Sequence, residues 1–167
     1  MKTRNMVLSA LFAALLAICA WISLPLGALR FTLQTFGLFL ALLTLGGKWG
    51  SLSVFLYIAM GILGLPVFSG FQGGFATLTG PTGGFLIGFM LTCLLYWLMT
   101  SLFGNKPWVC IPALGIGLVL SYILGWIWYS RFAPINLLLW CGPYLLPDCG
   151  KLVLAIYLSR RLVRFRD

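Results

Sequence analysis

Long apolar runs, broken at short intervals by glycine, proline and basic residues, set the pattern of this chain. Six such runs can be drawn, at about residues 6–24, 32–45, 49–65, 81–103, 108–128 and 147–162. The helices these runs predict are almost wholly apolar, as helices are when lipid and not water surrounds them. Pro25 and Gly27 break the first run, and Gly46, Gly47 and Lys48 end the second. The second is short for a full crossing and is expected to tuck against its neighbours. Pro66 stops the third, and the Gly104, Asn105, Lys106, Pro107 sequence separates the fourth from the fifth. Pro81 and Pro147 are placed to occupy the first helical positions of the fourth and sixth.

Two stretches between these runs are neither long crossings nor polar loops. Residues 66–80, PVFSGFQGGFATLTG, are rich in glycine and carry Phe68, Phe71 and Phe75. Residues 134–146, PINLLLWCGPYLL, read as a short half-helix followed by a bend. Irregular backbone survives at membrane depth only where protein or a wet cavity covers it. With the turn at 25–31, the 66–80 and 131–146 segments are therefore expected to frame a pocket. An interfacial re-entrant loop without a ligand is the plainer alternative.

Composition agrees with an all-α integral membrane protein. Of the 167 residues, 62% are hydrophobic and 8% charged, which leaves too few polar residues to cover a water-soluble surface. The net charge of +9 raises the question of nucleic acid, but the basic residues sit between apolar runs and form no patch. They report topology instead. With six crossings, Lys2, Arg4, Lys48, Lys106, Arg160, Arg161, Arg164 and Arg166 fall on one side, and Arg30, Arg131 and Lys151 on or near the other. The positive-inside rule predicts a multi-pass membrane protein with both termini cytoplasmic and the pocket segments outside. The five cysteines lack CxxC spacing and there is no histidine, so they read as packing residues and no metal or cofactor is expected.

The same scarcity limits chemistry. Without histidine or glutamate, and with Asp148 as the single acid away from the terminus, a catalytic acid–base set is not expected and neither is an enzyme. Asp148 stands three residues before Lys151, which places both on one helix face. A helix cap with a local ion pair is the bland reading. Charges among apolar segments usually face a cavity or pathway, and this pair can bind a ligand: the carboxylate accepts from N–H groups and the ammonium donates to a carbonyl or carboxylate. Gln34, a polar amide at the start of an apolar run, needs a partner, and Arg30 nearby is the candidate for a ligand carboxylate. The N–H groups at the start of the fourth helix are a second place for an anionic group. Gly84 and Gly88 form a GxxxG pair that suits helix packing. Ala10 and Ala14, four apart on the first helix, allow close approach of another helix, either within the molecule or from a partner.

GLPVFSG at 64–70, GPTGGF at 80–85 and PDCGK at 147–151, with TLQT at 32–35 and the alanine-rich first helix, resemble the biotin-specific S components (BioY type) of energy-coupling-factor (ECF) transporters. The similarity runs through nearly the whole chain in the expected order. It implies a six-helix ECF S-component bundle with an outward pocket for biotin, the loop after the third helix acting as a lid. It implies that Asp148 and Lys151 bind the vitamin head group. It implies that Ala10 and Ala14 contact the transmembrane T component, and that ATP is used by separate ATPase subunits; no GxxxxGKS/T phosphate loop occurs here. Some relatives carry an arginine just before GPTGG. Here that stretch is FATLTG, which leaves Thr77, Thr79, backbone N–H groups or Arg30 for the carboxylate. Phe68, Phe71, Phe85 and Trp140 are expected walls for an apolar bicycle, and Gln72, Gly73 and Tyr144 complete the expected lining. An S component for another vitamin or small metabolite is the alternative, and a membrane enzyme or assembly protein a more distant one.

Overall fold

The computed structural model describes residues 2–26, 29–133 and 136–164, without the side chains of 25, 26, 29, 137–140, 143 and 164. Lipid offers the backbone no hydrogen bonds, so the apolar runs become helices that satisfy themselves. Helix α1 spans Lys2–Trp21. Its inner face, Ser9, Ala13, Leu16, Ala17 and Ala20, recurs at three- and four-residue steps as one side of a helix must. The small residues bring α2 close: a side chain at Gly37 would meet Leu16 and Cys19.

Helix α2, Gln34–Ile62, is broken at Gly46, whose φ of 79° and ψ of 177° leave the helical region. The chain folds back there. Gly50 packs on the backbone of Ala41 and Leu42, and at the far end Gln34 Nε2 donates to Tyr57 OH at 2.9 Å. The arms 34–45 and 47–62 thus form an antiparallel helical hairpin and supply the second and third passes. The first arm rises only about 18 Å at 1.5 Å per residue, short of a hydrocarbon layer of roughly 30 Å. It tolerates this by lying inside the bundle: Phe39, Ala41 and Leu42 are wholly buried.

A short helix α3, Phe75–Thr79, precedes α4, Gly83–Phe103, and α5, Pro107–Tyr129. Helices α4 and α5 pack through glycines. A Cβ at Gly88 would lie 2.6 Å from Ser121 Cα, and Thr92 Oγ1 lies 2.8 Å from Gly88 O and 2.9 Å from Gly117 O. The GxxxG pair is therefore a packing device. Helix α6, Leu137–Arg164, lies against α2. Helices α1, α2, α4 and α5 are each long and apolar enough to cross a membrane; α6 is 28 residues long and turns its buried charged residues inward.

Several expectations need correction. The described residues of 25–31 are strand and not plain loop: β1, Ser23–Leu26, pairs antiparallel with β2, Leu29–Thr32, with Pro25 opposite Arg30. Pairing satisfies the backbone where water is scarce, and a two-stranded edge accepts a proline. The sixth helix begins at Leu137 and not at Pro147, and the expected half-helix and bend at 134–146 are part of it from 137 onward. A proline inside a helix loses one hydrogen bond, but ending the helix at membrane depth would orphan several. For the same reason Pro147 is an interior residue, and Asp148 caps nothing. Pro81 precedes the Thr82 cap of α4 and so lies two positions before the first helical residue, Gly83, where a proline was expected.

Candidate functional site

A cavity of about 390 Å³ opens where the β1–β2 pair, the start of α2, the loop after α2, the start of α4, the end of α5 and the first half of α6 converge. Its centre of charge is Asp148, 4% exposed, beside Lys151, 7% exposed. Lys151 Nζ lies 2.5 Å from Asp148 Oδ1. The ammonium also donates to Thr32 O at 2.6 Å and to Thr35 Oγ1 at 3.2 Å, and sits 3.9 Å from the centre of the Phe31 ring. All three N–H donors and the cation's apolar side are thus engaged. Thr35 Oγ1 donates to Asp148 Oδ1 at 3.0 Å and Tyr122 OH to Oδ2 at 2.7 Å. Three elements hold one buried carboxylate, and its Oδ2 keeps a lone pair for a further donor.

Most of the cavity surface beside this polar spot is apolar, with aromatic rings forming part of the wall. Phe85 meets Tyr122 edge-on at 5.7 Å, and Phe68 meets Tyr57 edge-on at 5.5 Å. Phe89, Leu86 and Tyr144 add further lining. Gln34 spends one amide N–H on Tyr57; its second N–H and its carbonyl have no partner among the described residues.

Of the residues singled out from sequence, Asp148, Lys151, Gln34, Phe68, Gln72, Thr77, Phe85, Tyr144 and Arg30 line the cavity. Phe71 does not. It is 65% exposed, has a φ of 58° and stacks on Trp21 at 5.2 Å, so its ring packs against the end of α1 and not into the cavity. Gly73 does not line the cavity either; it is pressed against the Leu65 carbonyl, where a Cβ would clash. Trp140 has its side chain outside the described residues. Thr79 is exposed and donates back to Ala76 O at 3.2 Å. At the start of α4, the N–H groups of Gly83 and Phe85 already donate to Gly80 O and Thr82 O, which removes two donors proposed for an anion. Thr35, Tyr122 and Ser69 were missed. Tyr122 carried one signal, a phenol inside an apolar run, since a buried hydroxyl needs a partner.

Ala10 and Ala14 are exposed, whereas Ala13, Ala17 and Ala20 are buried. The alanines of α1 thus divide between an inner face and an outer one shared with Val7, Leu11 and Ile18.

Residues 1–167 match the BioY family model. This chain belongs to the BioY family. It is 39% identical to the "Probable biotin transporter BioY" of Pyrococcus horikoshii over 97% of this chain and 98% of the relative. It is 38% identical to the "Biotin transporter BioY" of Thermotoga maritima over 95% of each. The crystal structure of an S-component for biotin from an ECF-type ABC transporter superposes with a TM-score of 0.86 at 28% identity, covering 98% of this chain and 92% of that one. The resemblance seen in the motifs is thereby borne out, and so is the S-component bundle. BioY proteins are transport proteins, which makes this chain a multi-pass membrane protein and not an enzyme.

Proposed function

We propose that this chain captures biotin as the S component of an ECF-type uptake transporter. The observation that carries the reading is the buried Asp148–Lys151 pair, presented to an otherwise largely apolar cavity. A cyclic urea has N–H donors that a carboxylate accepts, and a carbonyl that an amide N–H can meet. Asp148 Oδ2 and the unused N–H of Gln34 supply those two functions. Phe68, Phe85 and Tyr144 wall the fused apolar rings. Thr35 and Tyr122 position the carboxylate.

The partners in this reading are a transmembrane T component, which docks on the outer stripe of α1 around Ala10 and Ala14, and ATPase subunits that supply the energy. Both termini lie in the cytoplasm. The end of the molecule opposite the cavity carries Lys2, Arg4, Lys48, Lys106, Arg160 and Arg161, which supports that orientation.

The test is equilibrium binding to the purified, detergent-solubilised chain. Saturable biotin binding that riboflavin and thiamin displace poorly is expected. Saturable binding of riboflavin or thiamin with no biotin signal would assign the chain to another vitamin. For the partner surface, Ala14→Trp is expected to preserve biotin binding and impair uptake driven by the complete transporter. Unimpaired uptake and assembly would remove α1 as the docking face.

A further inference from the structure

Two cations reach the cavity, Lys151 and Arg30, and their circumstances differ. Lys151 has its three N–H groups committed to Thr32 O, Thr35 Oγ1 and Asp148 Oδ1. Arg30 has no hydrogen bond or ion pair among the described residues. Its side chain is exposed, and its guanidinium lies over Gly70, in the space that a Cβ there would occupy. Gly70 has a φ of 72°, a backbone conformation glycine adopts without strain. Beside it, Ser69 Oγ lines the same cavity, is shielded from solvent and lacks a hydrogen-bond partner among the described residues. A buried unpaired hydroxyl is costly unless a ligand or water completes it.

From this juxtaposition we infer that Arg30 of β2 and Ser69 of the loop after α2 form a subsite for the ligand's carboxylate. The inference rests on the biotin reading above and adds the residues that select an acid over its neutral derivatives. The planar guanidinium offers paired N–H donors to the two carboxylate oxygens, and Ser69 Oγ donates to one of them. Arg30 is two residues before Thr32, whose carbonyl holds Lys151, or roughly 7 Å along an extended strand. The ligand's head at Asp148 and its acid at Arg30 therefore occupy separate parts of the cavity that both residues line. Because Arg30 belongs to the β1–β2 pair and Ser69 to the loop after α2, a bound carboxylate ties the two segments together, and Gly70 is required so that the guanidinium can sit between them.

The experiment compares biotin with biotinamide, which keeps the rings and chain but lacks the charge, on the full chain and on Arg30→Ala, Arg30→Lys, Ser69→Ala and Gly70→Ala. The unaltered chain is expected to prefer biotin. Arg30→Ala should weaken biotin by about tenfold to a hundredfold, the range for a lost charge-assisted hydrogen bond, and change biotinamide by less than about threefold. Gly70→Ala should show the same acid-selective loss, and Arg30→Lys and Ser69→Ala smaller ones. An equal loss for both ligands in Arg30→Ala, or no loss for biotin, overturns the subsite. If Arg30→Ala does not fold, the acid preference in Arg30→Lys and Ser69→Ala decides, and an unchanged preference in both overturns it. Absence of binding of either compound to the unaltered chain overturns the biotin reading itself, a separate outcome.

Discussion

Tyr122 on α5 donates its hydroxyl to Asp148 Oδ2 on α6 at 2.7 Å, and this bond ties together two helices that otherwise share few contacts. It fixes one carboxylate oxygen while Thr35 and Lys151 fix the other. The carboxylate is therefore oriented before any ligand arrives, and preorganisation of this kind lowers the cost of binding. Tyr122→Phe removes the donor and keeps the edge contact with Phe85 at 5.7 Å. The expected outcome is a stability loss of about 1 kcal/mol and a several-fold weaker affinity for biotin. Thermal unfolding and calorimetric titration in detergent check it.

The Asp148–Lys151 pair separates stability from recognition. Asp148→Asn leaves a buried ammonium without its counter-ion, and breaking a buried pair costs about 3–5 kcal/mol. The variant should insert, melt at a lower temperature and bind biotin at least about tenfold more weakly. Asp148→Asn combined with Lys151→Met removes both charges and should regain much of the melting temperature without regaining affinity. A double variant that bound normally would show that the pair serves folding alone.

Helices α4 and α5 approach through Gly88, where a Cβ would lie 2.6 Å from the Ser121 backbone. Backbone cannot rotate away as a flexible side chain can. Gly88→Ala should therefore destabilise the bundle by about 1–3 kcal/mol through overpacking, despite alanine's better helix propensity. Unfolding curves compared with those for Gly115→Ala, where a Cβ meets nothing within 4 Å, isolate the packing effect.

Phe71, in the loop that lines the cavity, stacks on Trp21, whose indole also donates to Pro66 O at 2.8 Å. It does so with a φ of 58°, a left-handed conformation that is uncommon for a bulky residue. Phe71→Ala should leave the fold intact, since the ring is largely exposed, and speed biotin dissociation several-fold with a smaller change in association, as binding differences generally fall on the off-rate. Stopped-flow displacement measures both. An unchanged off-rate would mean the stack does not retain the ligand.

The amino-acid order by itself determined that the chain lives in lipid, how many apolar segments it has, which end carries positive charge and which motifs it shares with its family. These are properties of local composition, and lipid leaves a long apolar segment little choice but a helix. It also marked Asp148 and Lys151, because an isolated acid and base in an apolar chain stand out without any coordinates. Only the tertiary structure decided that Pro147 lies within a helix, since the cost of a proline depends on what else would satisfy the backbone. Only it brought Thr35 and Tyr122 to one carboxylate from segments far apart in sequence, turned Phe71 away from the cavity and set Arg30 against Gly70. Those relationships arise from packing between distant elements, and no pattern within a single segment encodes which partner a side chain will meet.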